Sequence, residues 1–171
     1  TSFQDNVPGA ENKSKGIEGF TNWTDNKKLN IGFNYTLTKS YSGIDCDKPE
    51  KDKWGYTSCL DSGHGWLESA MVRVPIHALS SKINYQFSNN LDGSLILIYK
   101  GRSRDYGGTD YDFKDQILDE YLLADLKSSY KIFEGYNLDF SVKNLFDKNY
   151  ENSFLYSGTP RTINIGLKKS F

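Results

Sequence analysis

Two cysteines, Cys46 and Cys59, stand thirteen positions apart in the longest polar segment of this chain of 171 residues. In an oxidising compartment a pair at that spacing closes a disulfide. Such a crosslink would contribute about 3 kcal/mol by restricting the unfolded chain. The sharper alternative is a metal centre that recruits His64, Asp45 or Asp47. Two cysteines without a CxxC pair or a close second ligand pair match zinc-site spacing poorly. Asp45, Asp47, Asp52 and Asp61 lie in the same segment but lack the ligand spacing of an EF-hand loop, and read as solvated loop charge. Trp54 and Tyr56 offer aromatic surface to a ligand, His64 and Trp66 less so, or these rings pack the loop on itself. Arg102, Arg104 and Tyr106 could meet an anionic ligand or lipid phosphates, with solvation as the plainer reading.

Nothing in the chain frames a catalytic group. Its two histidines, His64 and His77, have no nucleophile-elbow context, and Asp110/Asp112 and Asp119/Glu120 are carboxylate pairs without an enzymatic setting. Net charge is −1, from 21 basic and 22 acidic residues, which lacks the basic excess of a nucleic-acid-binding surface. No run of apolar residues is long enough for a transmembrane helix. A mean hydropathy of −0.64 leaves a membrane β-barrel open, because inward polar residues alternate with outward apolar ones and lower the average. The 12 Tyr and 10 Phe suit barrel girdles or a Tyr-rich β-sandwich equally well. Thr1–Gly9 carries neither the cationic head nor the apolar core of a signal peptide.

The elements that must position these groups read as seven strands, each alternating apolar and polar residues between turn signals. Five fall at about 14–23, 29–40, 75–87, 92–104 and 117–130, and the last two on the alternating runs Leu138/Phe140/Val142 and Ile163/Ile165/Leu167, the latter ending on Phe171. The second is the cleanest, with Leu29, Ile31, Phe33, Tyr35 and Leu37 on one face and Asn30, Gly32, Asn34, Thr36 and Thr38 on the other. Leu95-Ile-Leu-Ile-Tyr99 is apolar on both faces, so alternation alone does not orient it. Turns near 25, 89 and 133 are short, whereas the connections 41–73, 105–115 and 153–160 are longer. Short turns at one end and long loops at the other are how outer-membrane barrels are built. Seven strands cannot close a bacterial barrel, which takes an even number. The expectation is therefore all-β: an antiparallel up-and-down transmembrane β-barrel segment within a longer chain.

The C-terminal 36 residues carry a family resemblance. Val142-Lys-Asn-Leu-Phe-Asp-Lys-Asn-Tyr150, then Gly158-Thr-Pro-Arg161, then a strand ending on Phe171, resemble the closing hairpin of TonB-dependent outer-membrane receptors. Ser14-Lys-Gly-Ile-Glu18, Arg73-Val-Pro-Ile-His77, Tyr99-Lys-Gly101 and Leu123-Ala-Asp-Leu126 are similar to strings found earlier in such barrels. Each is weak alone; their order makes the joint signal strong. The closing loop is most similar to the cobalamin-receptor branch, and nearly as similar to the enterobactin- and colicin-binding branch.

The resemblance implies a plugged barrel of about 22 strands, of which this chain would supply the C-terminal third, about strands 16 to 22. The plug, its TonB box and the earlier strands would lie in roughly 400–500 upstream residues. It implies a non-enzymatic receptor in the outer membrane of a Gram-negative bacterium, importing a scarce metal chelate, cobalamin or a ferric siderophore. No cofactor is implied. The partners would be outer-membrane lipid, the protein's own plug and, through it, TonB-ExbB-ExbD. Phe171 would mark the chain for the barrel-assembly machinery. Asn30, Asn34, Lys82, Asn84, Asp125, Lys127, Asp139 and Ser141 would face the plug. The alternative is a self-standing soluble β-rich module that binds through its Trp/Tyr loop; it requires a second sheet over Leu29/Ile31/Phe33/Tyr35/Leu37.

Overall fold

The computed structural model describes residues 10–25, 28–45, 66–107 and 114–170, and every regular element among them is a β-strand. In chain order these are β1 (Ala10–Asp25), β2 (Leu29–Asp45), β3 (Trp66–Ala70), β4 (His77–Gln86), β5 (Leu91–Lys100) and β6 (Ser103–Gly107). There follow β7 (Lys114–Leu118), β8 (Tyr121–Phe133), β9 (Tyr136–Lys143), β10 (Glu151–Ser153), β11 (Tyr156–Ser157) and β12 (Thr162–Lys169). Seven of them form one antiparallel sheet in the order β1-β2-β4-β5-β8-β9-β12, and β3 adds to the outer part of β2. This is the up-and-down order of the seven strands expected from alternation. Two small hairpins, β6-β7 and β10-β11, lie inside the connections β5–β8 and β9–β12.

Register decides what each face becomes, because a shift of one residue would turn every side chain over. Trp23, Ile31, Ile83, Leu95, Leu126, Val142 and Ile163 stand opposite one another in succession, one from each of the seven strands. The neighbouring rung is Thr24, Asn30, Asn84, Ser94, Lys127, Ser141 and Asn164, wholly polar. Successive side chains point to opposite faces, so the sheet has one apolar and one polar face. The ambiguous run in β5 is thereby oriented. Leu95, Leu97 and Tyr99 join the apolar face, while Ile96 and Ile98 pair with Lys82 and Ser80 on the polar one.

The apolar face lies open. Ile163, Ile165 and Leu167 are each more than half exposed, and among the described residues no second sheet covers them. That is the opposite of what a soluble sandwich requires, and it suits lipid. The outer edges of β1 and β12 have no strand partner among the described residues. In lipid, bare backbone groups cost several kcal/mol each, so such an arc needs further strands beside it.

Tight turns close one end, with Lys28 N donating to Asp25 O (3.0 Å) and Ser88 N to Leu91 O (3.1 Å), and Ser170 N ties the end of β12 to the β8–β9 turn at Gly135 O (2.7 Å). Gly135 takes φ +80°, a conformation that favours glycine. At the other end β1 and β2 run to 16 and 17 residues, beyond the 9–11 or so that span a bilayer. In that overhang alternation fades, as the run Lys39-Ser-Tyr-Ser-Gly-Ile-Asp45 shows.

A matched pair of substitutions tests the two-faced sheet. In the protein folded into bilayers, Leu95→Arg is expected to destabilise the sheet by about 2–4 kcal/mol, and the adjacent Ser94→Arg by less than about 1 kcal/mol. Denaturant titration from bilayers reads both values.

Candidate functional site

The polar face is knit across strands by side-chain hydrogen bonds. Ser94 Oγ donates to Asn84 Oδ1 (2.8 Å), Asn84 Nδ2 to Asn30 Oδ1 (3.4 Å), and Asn30 Nδ2 to Thr24 Oγ1 (2.8 Å). This chain of amides and hydroxyls crosses four strands. Further along the sheet, Ser129 Oγ donates to Asp139 Oδ1 at 2.7 Å. All eight residues expected to face a barrel interior lie on this surface. Phe20, on the same face in β1, is 82% exposed and is its chief apolar exception.

At the long-loop end, Asn144 explains why the Asn-Leu-Phe-Asp string takes the residues it does. The chain leaves β9 through a left-handed turn, with φ +49° at Asn144 and +52° at Asp147, which Asn and Asp tolerate best after glycine. Asn144 is 3% exposed. Its Nδ2 donates to the carbonyls of Lys148 (2.9 Å) and Thr159 (3.1 Å), and its Oδ1 accepts from Lys148 N (2.8 Å). Its own N–H donates to Asp125 Oδ1 at 2.9 Å. Asp147 Oδ1 then accepts from Arg161 N (2.9 Å), fastening the Gly-Thr-Pro-Arg segment to the turn. Tyr150 completes the motif. Its ring lies 4.6 Å from that of Tyr121 and against Gly158, where a Cβ would fall within the ring.

A second polar hub joins three connections. Asp105, in β6, is fully buried. Its carboxylate accepts from Arg73 Nε (3.0 and 3.1 Å to its two oxygens), Ser153 Oγ (3.1 Å) and Phe154 N (2.8 Å). Arg73 belongs to the connection before β4, and Ser153 and Phe154 to the one between β9 and β12. Arg73 adopts φ +62°, and its N–H donates to Arg104 O at 2.7 Å. Three outer loops are thus tied at one carboxylate. No sequence signal marks Asp105 beyond its place beside Arg104, and the Arg73-Val-Pro-Ile-His77 string was legible only as a strand entry.

Of the loop residues singled out above, Arg102 is largely exposed and its Nε lies 3.8 Å from Asp119, a solvated pair worth little. Arg104 is half-buried beside the Asp105 hub, and Tyr106 lies in β6. Trp54, Tyr56, Cys46, Cys59 and Phe171 lie outside the described residues. A cleft of about 560 Å³ opens at this end of the sheet, walled by Asp119, Glu120, Tyr121, Lys148, Tyr150 and Glu151. Tyr99 OH donates to Glu120 Oε2 (3.1 Å) and Tyr121 OH to Asn152 Oδ1 (3.0 Å), which fixes two of its walls. Phenols, carboxylates and one ammonium equip it to hydrogen-bond a polar ligand.

An open-edged sheet with one lipid-type face and tied outer loops is the wall of an outer-membrane barrel. The model of the TonB dependent receptor-like β-barrel matches residues 1–145, and the chain belongs to that family. Solved structures share its fold. FpvAI in complex with pyocin S2 superposes with a TM-score of 0.71 at 19% identity, covering 95% of this chain and 20% of that one. The siderophore receptor PiuA from Acinetobacter baumannii gives 0.70 at 19% identity, with 94% and 22% covered. The ferripyoverdine receptor of the outer membrane of Pseudomonas aeruginosa gives 0.66 at 19% identity, with 94% and 20% covered. The chain thus spans about a fifth of the length of these relatives. No curated protein matches it.

The two hubs should fail differently. Asn144→Ala strips three backbone groups of their part-buried hydrogen bonds and leaves alanine in a left-handed turn, and is expected to lower stability by about 3 kcal/mol in urea. Asp105→Ala should leave the barrel's heat-modifiable mobility on gels intact while speeding protease nicking of the outer loops about tenfold or more.

Proposed function

We propose that this chain is the C-terminal wall of a TonB-dependent receptor that imports a ferric siderophore across the outer membrane of a Gram-negative bacterium. The observation that carries the reading is the pair of adjacent seven-residue rungs, one wholly apolar and one wholly polar, in a sheet whose edges stay open. A barrel wall between lipid and a hydrated, plugged interior needs that arrangement. The remaining strands and the plug belong to the rest of the protein. Siderophore is favoured over cobalamin because PiuA and the ferripyoverdine receptor share this fold.

In this reading the segment does no chemistry. The amide ladder gives the plug a polar wall to slide along, and the energy arrives from TonB-ExbB-ExbD through the plug. The tied outer loops hold a mouth for the chelate. Trp54, Tyr56, Arg102, Arg104 and Tyr106 gather ligand there, with Arg102 the more accessible arginine, and a Cys46–Cys59 disulfide braces the longest loop. Phe171 serves recognition by the barrel-assembly machinery.

Radioiron uptake tests this in a strain whose other siderophore receptors are deleted. Expressing the full-length protein should restore accumulation of at least one ferric siderophore, and deleting TonB should abolish it. Restored uptake that persists without TonB would contradict the reading.

A further inference from the structure

We propose that Lys15 and Lys39 form a docking site for the phosphate groups of outer-leaflet lipid, an inference that rests on the barrel orientation given above. On the apolar face β2 presents Leu29, Ile31, Phe33, Tyr35 and Leu37, and β1 presents Ile17 and Trp23. The next outward positions toward the long-loop end are Lys39 and Lys15, which stand directly opposite each other in the register. Leu29 to Lys39 rises about 34 Å along the strand, which at a tilt of about 40° is about 26 Å along the membrane normal, the height of the apolar band. The two ammonium groups therefore sit at the first level above the hydrocarbon, where lipid phosphates lie.

Further observations support an anionic occupant. Both lysines are exposed, and neither makes an ion pair among the described residues. Like charges directly opposite on one face of an antiparallel pair repel, and a phosphate between them would reverse the sign of that interaction. Just below, Tyr35 OH and His77 Nδ1 are 2.7 Å apart at the rim of the band, an aromatic pair with polar tips that suits the membrane interface. Lys13, opposite Tyr41, extends the cationic level outward.

The test uses the full-length receptor in nanodiscs, with deep-rough lipopolysaccharide bearing phosphorylated lipid A or the same lipid after enzymatic dephosphorylation. Bound lipid is counted by native mass spectrometry. The intact protein should retain the phosphorylated form, and the Lys15→Gln/Lys39→Gln variant should retain it about thirty-fold less. Lys15→Arg/Lys39→Arg should hold it as the parent does. Equal retention by parent and Gln variant, equal retention of both lipids, or displacement by millimolar inorganic phosphate would overturn the lipid site. Surface biotinylation of a Lys39→Cys variant on intact cells separates the two levels of the account. Labelling supports the orientation whatever the lipid result, and absence of labelling in protein that reaches the outer membrane counts against the orientation itself.

Discussion

Everything in this segment depends on one constraint: a sheet that crosses lipid must satisfy its backbone internally, so strand register cannot drift. Antiparallel pairing supplies the N–H and C=O partners, and the register then dictates which residues meet hydrocarbon. Because the side-chain period is two, the rung from Trp23 to Ile163 and the rung from Thr24 to Asn164 are the two consequences of one pairing scheme. A slip of a single residue would send Lys82, Asp125 and Lys127 into lipid. The hydrophobic effect thus acts here less as a core-forming force than as a selector of register.

Beyond the bilayer that selector vanishes, and other interactions take over. The outer connections are organised by two buried polar residues. Asn144 saturates its amide with backbone groups of its own turn and of the segment entering β12. Asp105 draws Arg73, Ser153 and Phe154 from separate loops to one carboxylate. Buried polar groups that find all their partners specify geometry closely, since each broken bond leaves a desolvated group behind. Loops without an apolar core need such hubs to hold a shape. The left-handed backbone at Arg73, at +62°, is held against its intrinsic preference by the bonds its N–H and guanidinium make.

What the sequence made legible follows the same division. Inside the bilayer band alternation is enforced by lipid, so β2, β4, β8, β9 and β12 could be read residue by residue. The β5 run 95–99 could not, because Ile96 and Ile98 place apolar groups on the polar face and only pairing with Lys82 and Ser80 orients it. The overhangs of β1 and β2, strand β3 and the hairpins β6-β7 and β10-β11 carry no such signal: outside the band lipid does not enforce alternation, and β6 buries Ser103 and Asp105 rather than apolar side chains. The Asn144 turn was visible as a motif but not as a mechanism. Asp105 was invisible, because its partners lie 32, 48 and 49 positions away and leave no local pattern.

The most direct test of the central claim is a spin-label accessibility scan of the full-length protein in lipid bilayers. Nitroxides would be placed singly at Ile83 and Asn84, Leu95 and Ser94, and Leu126 and Lys127. The account predicts that oxygen, which partitions into lipid, relaxes the labels at Ile83, Leu95 and Leu126. A water-soluble nickel chelate should instead relax those at Asn84, Ser94 and Lys127. Equal access of the nickel chelate to both members of each pair would mean that neither face meets lipid, and would contradict the reading of this sheet as a membrane barrel wall.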